Sequence, residues 1–220
     1  MTPPDRRLAL GAPITLYVDS LFLSPYAMSA YVALTEKKLP FEVRPIDLEA
    51  GEQRMQPYQC RALTARVPAL THDGFNLTES SVIAEYLEDV FPPPGHTALY
   101  PQAPRERARA RQLQAWLRSD LAALRQERPT ETVFYGAAGQ PLSDAAHAAS
   151  AKLIQVASYL IGVDQTSVLD EWCIADLDLA VMLKRLALDD LPDPLRAYAD
   201  VQWQRPSVQK WLEHNAAARA

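Results

Sequence analysis

The chain has 220 residues, 48% hydrophobic and 22% charged, with a net charge of -5, an ordinary globular balance with length for one large domain or two small ones and no need of covalent staples. The two cysteines, Cys60 and Cys173, lie far apart and the four histidines are scattered singly, which supports neither a disulfide framework nor a metal site. The acid excess disfavours nucleic acid as a partner; the first dozen residues, MTPPDRRLALGA, lack a signal peptide's apolar core and no uncharged run reaches the length of a membrane span, so a cytoplasmic protein without membrane attachment is expected.

Residues 13 to 18, PITLYV, are rich in β-branched and aromatic types and stop at the polar break Asp19-Ser20, which predicts a strand. From Pro25, Met28, Tyr31, Val32 and Leu34 recur at near-helical spacing as far as Lys37-Lys38, whose charges suit a helix C-terminus, and Pro40 stops the run. Phe41 to Ile46 alternates apolar and polar residues, and Pro45 assigns it to a sheet edge. A right-handed crossover then makes the two strands parallel. After a poorly patterned segment, 51 to 66, the runs Val67 to Thr71 and Phe75 to Thr78 flank His72-Asp73-Gly74, a hairpin signal. Ser80 opens a helix with Val82, Ile83, Tyr86, Leu87, Val90 and Phe91 on one face.

The order β-α-β-(α)-β-β-α is complete by Phe91, so 1–91 is expected as one small domain and the proline-rich stretch 92–104 as a linker. Residues 105–220 read as all-helical. One helix is expected over 105 to 128 with Leu113, Trp116, Leu117, Leu121 and Leu124 inward, a second from Ser143 to Gly162, and a third from Ile174 through Leu186. Shorter helices are expected around Leu195 to Ala199 and Ser207 to Ala217.

Three places offer chemistry. Ser24-Pro25 has the residues of a helix N-cap and first turn. The same pair sits in a strand-to-helix loop, where α/β sheets bind ligands and free backbone N–H groups favour an anion, and the two readings are compatible. Glu79-Ser80 is open to a cap with a neighbouring surface acid, or to a corner that holds the ammonium and carboxylate of an α-amino acid. Val67-Pro68 is open to a plain strand entry, or to a cis bond that turns the Val67 backbone towards an extended ligand.

The segments LSPYAMSAYVALTEK, VPAL, TESSVIAEYLED, WCIADLDLA and RPSVQKW carry a resemblance that runs from end to end. The first 91 residues resemble a thioredoxin-fold domain, and the whole chain resembles a cytosolic glutathione S-transferase. WLRSDL and EWCIADLDLA are similar to the YfcF-like bacterial branch, itself similar to the serine-using theta group. The resemblance implies an α/β thioredoxin-like N-terminal domain plus an all-α C-terminal bundle, a homodimer, glutathione as co-substrate, and no metal or other cofactor. It places Ser24 facing the glutathione sulfur, Val67 on the cysteinyl backbone, cis-Pro68 shaping the cleft, and Glu79 with Ser80 on the γ-glutamyl end. Arg66 is either near the glycyl carboxylate or solvated. The implied activity is ionisation of the glutathione thiol and its addition to a small electrophile, or reduction of a peroxide.

Ser24-Pro-Tyr-Ala27 stands where a thiol enzyme carries Cys-Pro-Tyr-Cys, which disfavours a thiol–disulfide oxidoreductase; a glutathione-binding module without turnover is the alternative. The family's Asn-Pro corner is missing from the Arg61 to Arg66 segment, and Cys173 stands where a hydroxyl would cap a buried helix, leaving Asp176 to bond backwards alone. Tyr17 reads as packing and Cys60 as a free thiol, while the direction of Tyr26 is open. Arg105, Arg107, Arg109, Arg111, Arg118, Arg125 and Arg128 read as a cationic face that is solvated, paired with acids, or bordering the dimer groove or electrophile pocket.

Overall fold

The computed structural model describes residues 13–136, 140–186 and 191–219; the N-terminal dozen, in which no signal peptide is read, lies outside them. The first part of the chain builds β1 (Ile14–Asp19), α1 (Pro25–Glu36), β2 (Glu42–Ile46), β3 (Ala69–His72), β4 (Phe75–Thr78) and α2 (Ser80–Val90). The sheet order is β2-β1-β3-β4, with β1 parallel to β2 and antiparallel to β3. Pro45 therefore sits on an edge strand, as its missing N–H requires. Asp73 and Gly74 turn the β3–β4 hairpin at φ 49° and 76°, the left-handed pair that a two-residue hairpin needs. The segment 51–66 holds two 3₁₀ turns, Glu52–Arg54 and Tyr58–Cys60, and no α-helix.

α1 is buried from Pro25 to Leu34 on all faces except at Tyr26, because it lies between the sheet and α2 on one side and two helices of the second domain on the other. Lys37, at the C-terminal end of α1, is 1% exposed. Its ammonium pairs with Glu88 at 2.8 Å and donates to the carbonyls of Phe91 at 2.8 Å and Thr97 at 3.0 Å. Glu88 in turn accepts from the Leu99 N–H at 2.9 Å. The stretch between the two domains is thus fastened to α1 and α2 through one buried ion pair whose lone pairs and protons are filled, the condition under which such a pair is tolerated. One expectation about this layer needs correction: Val82 is 47% exposed while Ile83, Ala84 and Leu87 take the core face.

The remaining chain is helical: α3 (Pro104–Ser119), α4 (Ala122–Glu127), α5 (Thr130–Tyr135), α6 (Asp144–Leu160), α7 (Ile174–Lys184), α8 (Asp193–Trp203) and α9 (Pro206–Arg219). The run expected over 105–128 breaks in two. Leu121 adopts φ 61°, Asp120 accepts its N–H at 2.8 Å, and the Arg125 guanidinium turns back onto the carbonyls of Leu117, Arg118 and Asp120. Those carbonyls are the acceptors a helix end leaves open. Arg125 therefore terminates α3 rather than joining a cationic face. Ser143 caps α6 by accepting from Ala146 N–H at 3.3 Å.

α7 is the central helix of the bundle, fully buried from Ile174 to Leu183. Asp176 does not act alone at its start. It accepts from Cys173 N–H at 2.8 Å, Val168 N–H at 2.7 Å and the Tyr198 hydroxyl at 2.8 Å, and the Cys173 sulfur completes the capping box from the other side. No helix among the described residues is long and apolar enough to cross a membrane.

Candidate functional site

The strand pairings bring three separate stretches to one end of the sheet. Tyr17 pairs with Ala69 and Ala69 with Thr78. Continuing both registers sets Asp19 opposite Val67 and Pro68 opposite Glu79, so the end of β1, the entry to β3 and the exit of β4 share one rim. Against that rim opens a cleft of about 720 Å³. Ser24, Tyr26, Gln53, Arg54, Arg66 and Val67 line it from the first domain, and Thr130, Glu131 and Arg185 from the second.

Ser24 is the N-cap of α1: its Oγ accepts from Ala27 N–H at 3.2 Å, and Pro25 takes the first helical position. With its oxygen accepting from the helix, the hydroxyl keeps its own proton to donate into the cleft. The first turn of α1 contains no acid, so the positive end of the helix is not neutralised there. The loop that delivers Ser24 is held at both edges. The buried Asp19 carboxylate accepts from Leu23 N–H at 2.5 Å and Ser24 N–H at 2.9 Å. Asn215 of α9 donates to the Leu21 carbonyl at 2.8 Å, while Phe22, at φ 53°, stacks on His214 with ring centroids 5.0 Å apart. Burial pushes the Asp19 carboxyl above the usual carboxylate value, against the pull of its backbone hydrogen bonds.

Val67 lines the cleft, and the Val67–Pro68 bond is cis. The segment before it is tied down by the Tyr58 hydroxyl, which donates to the Arg66 carbonyl at 2.6 Å. The Arg66 side chain is exposed on the cleft wall, joined by Arg54, another exposed cation. Pro68, Glu79 and Ser80 lie outside that lining. Glu79 is exposed at φ 70° and ψ 112°, a sparsely populated positive-φ conformation of the kind that costs about 1–3 kcal/mol. It occupies the cap position of α2, and Ser80 is the first helical residue rather than the cap. The Ser80 hydroxyl is buried and accepts from Arg118 Nη2 at 2.9 Å.

Arg118 is the centre of a polar junction between the domains. Besides Ser80 it donates to Asp178 at 3.0 Å and the Gln114 carbonyl at 3.1 Å, and it lies 5.4 Å over the Tyr26 ring. Gln114 adds a bond to Asp178 at 2.6 Å and receives the Tyr100 hydroxyl at 2.8 Å. Burial opposes the Arg118 charge, but Asp178 outweighs it and raises the guanidinium above the usual arginine value. Tyr26 thus turns into the cleft under an arginine, whereas Tyr17 packs edge-on against Tyr58 at 5.7 Å. Other members of the arginine run have local partners: Arg111 grips Glu85 with two prongs, and Arg107 donates to the Pro101 carbonyl at 3.0 Å. They form no single face.

Sequence reasoning missed Asp19, Gln53, Arg54, Glu131 and Arg185. Asp19 carried a usable signal, a carboxylate at a strand end five residues before a cap serine, whereas the others enter the site only through the packing of distant segments. Cys60 is exposed, with its thiol on Gln56 Oε1 at 2.8 Å, and Cys173 is buried; neither is in a disulfide.

The family model described as glutathione S-transferase, N-terminal domain, matches residues 20–95, and the one described as glutathione S-transferase, C-terminal domain, matches residues 104–217. A crystal structure of a glutathione transferase homologue from Burkholderia with bound glutathione is 43% identical, covers 93% of this chain and 99% of that one, and superposes with a TM-score of 0.79. Human glutathione S-transferase theta-1 is 28% identical over 210 residues, 93% of this chain and 83% of that protein. LigF of Sphingobium is 38% identical over 104 residues, and mouse maleylacetoacetate isomerase 35% over 116; the matches span 40% and 51% of those proteins' own lengths. The chain belongs to the glutathione S-transferase family.

Proposed function

We propose that the protein binds reduced glutathione in the cleft, ionises its thiol beside Ser24 and adds the thiolate to a small electrophile held against the helical domain. The observation that carries this is the Ser24 hydroxyl on the wall of the cleft, at the head of a helix whose first turn holds no acid, in a loop fixed by the bonds of the Leu23 and Ser24 N–H groups to buried Asp19. The peptide of glutathione would run along Val67 as an added strand beside Pro68. Its glycyl carboxylate would meet Arg66, with Arg54 as a second cation, and its γ-glutamyl end would reach over the rim to Glu79 and Ser80. Because Arg118 donates to the Ser80 oxygen, the Ser80 proton is available to a carboxylate, and the strained backbone at Glu79 fits a residue fixed for a ligand rather than for the fold.

A free thiol of pKa ~8.5 is only a few per cent ionised at pH 7, and lowering it by ~2 units takes about 2.7 kcal/mol. A hydroxyl bond to a charged acceptor contributes ~1.5–3 kcal/mol and a helix N-terminus up to ~1 kcal/mol. The two together suffice without a metal. Catalysis then consists of thiolate stabilisation and positioning. The family's homodimer and a cytoplasmic location complete the proposal. Ultraviolet titration of the glutathione complex tests it: a thiolate band developing below pH 7 is expected, and a band that emerges only near the pKa of free glutathione refutes the mechanism.

A further inference from the structure

The far wall of the cleft carries a cation that the glutathione placement proposed above does not use. Arg185 follows the end of α7 and reaches the cleft lining although it is only 5% exposed. Its Nη1 donates to the Arg128 carbonyl, while its buried Nε has no acceptor. Among the described residues it forms no ion pair. The nearby acids do not supply one: Asp178 is held by Gln114 and Arg118, and Glu131, on the same cleft wall, is exposed and not paired with it. Burial pushes the guanidinium down from the usual arginine range, with the neighbouring Arg125 adding to the effect and Tyr26 and Glu131 opposing it. A buried cation without a counter-charge costs stability; the described residues offer Arg185 none, and it lines the same cleft as Ser24, Tyr26, Thr130 and Glu131.

We infer that Arg185 anchors a carboxylate on the second substrate, so that the protein selects acidic electrophiles over neutral ones. The guanidinium fork suits a carboxylate better than any neutral acceptor, and a ligand that brings the missing charge completes a site that the described residues leave electrostatically open. Arg185 is a specificity residue: it holds one end of the electrophile and touches no reacting atom. The inference rests on glutathione being activated at Ser24.

The test uses matched pairs in which the reacting centre is kept and only a carboxylate changes: ethacrynate against its methyl ester, and 4-chloro-3-nitrobenzoate against its methyl ester, with 1-chloro-2,4-dinitrobenzene as the neutral reference. In the unsubstituted protein kcat/KM for each acid, normalised to the uncatalysed rate with glutathione, should exceed that of its ester at least tenfold. In Arg185→Met that ratio should fall at least tenfold through KM of the acid, with kcat for the ester and KM for glutathione within twofold; Arg185→Lys should restore part of it. A ratio unchanged in Arg185→Met overturns the inference. Should that variant not fold, benzoate should still inhibit the unsubstituted protein competitively against 1-chloro-2,4-dinitrobenzene and benzamide should not; equal inhibition by the two overturns it. Turnover of the neutral reference without any acid preference defeats only the role of Arg185, whereas no turnover of any electrophile defeats the glutathione proposal beneath it as well.

Discussion

Ser24 and Ser80 stand at the heads of two helices of the same domain, and their hydroxyls are used in opposite ways. Ser24 caps α1 with its oxygen and keeps its proton over the cleft; Ser80 lies one residue inside α2, buried, with its oxygen taken by an arginine of the other domain. One residue type at one kind of helix end thus becomes a candidate reactive group in the first case and part of a domain junction in the second. What separates them is the neighbour each finds across the domain boundary: an open cleft for Ser24, Arg118 for Ser80.

The strongest way to break this contrast is at Arg118. Arg118→Met leaves the buried Asp178 with Gln114 as its remaining side-chain donor, and removing one partner of a buried ion pair costs roughly 3–5 kcal/mol. Because Gln114 stays, the low end of that range is expected in urea unfolding, and KM for glutathione should rise with it. A loss under 1 kcal/mol would mean that the junction is not a structural centre.

The two serines themselves come next. Ser24→Ala should lower kcat for 1-chloro-2,4-dinitrobenzene by roughly tenfold to a hundredfold, the equivalent of a hydroxyl bond to a charged acceptor of ~1.5–3 kcal/mol, and should shift the thiolate band to higher pH. The lost cap should cost about 1 kcal/mol of stability. Ser80→Ala should instead raise KM for glutathione and leave the thiolate band in place. If both variants moved the band equally, the division of labour between the two helix ends would be wrong.

The smallest effect sharpens the comparison from the opposite end of the sheet. His72, at the hairpin turn, is buried with Nδ1 2.8 Å from the Tyr86 hydroxyl and Nε2 without a partner. Desolvation lowers its folded pKa below the ordinary value, so the unfolded chain takes up the proton first. Stability from this group is therefore present above pH ~6.5 and is lost as pH falls from there towards the depressed folded value. His72→Gln should flatten that acid limb in melting temperature against pH. The pH dependence of turnover should be unchanged, because the far end of the sheet does not touch the cleft.

Much of this was legible in the chain. The run PITLYV, the Asp-Gly turn and the edge proline Pro45 depend on backbone preferences that act over a few residues, and they appear in the fold as those preferences require. Ser24-Pro25 was legible for the same reason, since a cap is a local device. The helix expected over 105–128 was not, because its break is made by Arg125 and Asp120 folding back on the chain, and period counting does not register that. The burial of Lys37 was not legible for a related reason: at the end of a helix a lysine suits the dipole, and only the approach of Glu88 and the carbonyls of Phe91 and Thr97 makes burial tolerable.

By itself the sequence determined the strands, the helices α1, α2, α6 and α7, and which serine heads α1, since these follow from side-chain shape, proline's lost donor and capping within one turn. Only the tertiary structure decided which polar groups are free for a ligand. Arg118 on α3 and Arg185 just past the end of α7 are the same residue type, yet one meets Asp178 and the other meets no counter-charge among the described residues. The worth of a charge depends on the solvent it loses and the partner it gains, and both are fixed by segments far apart in the chain.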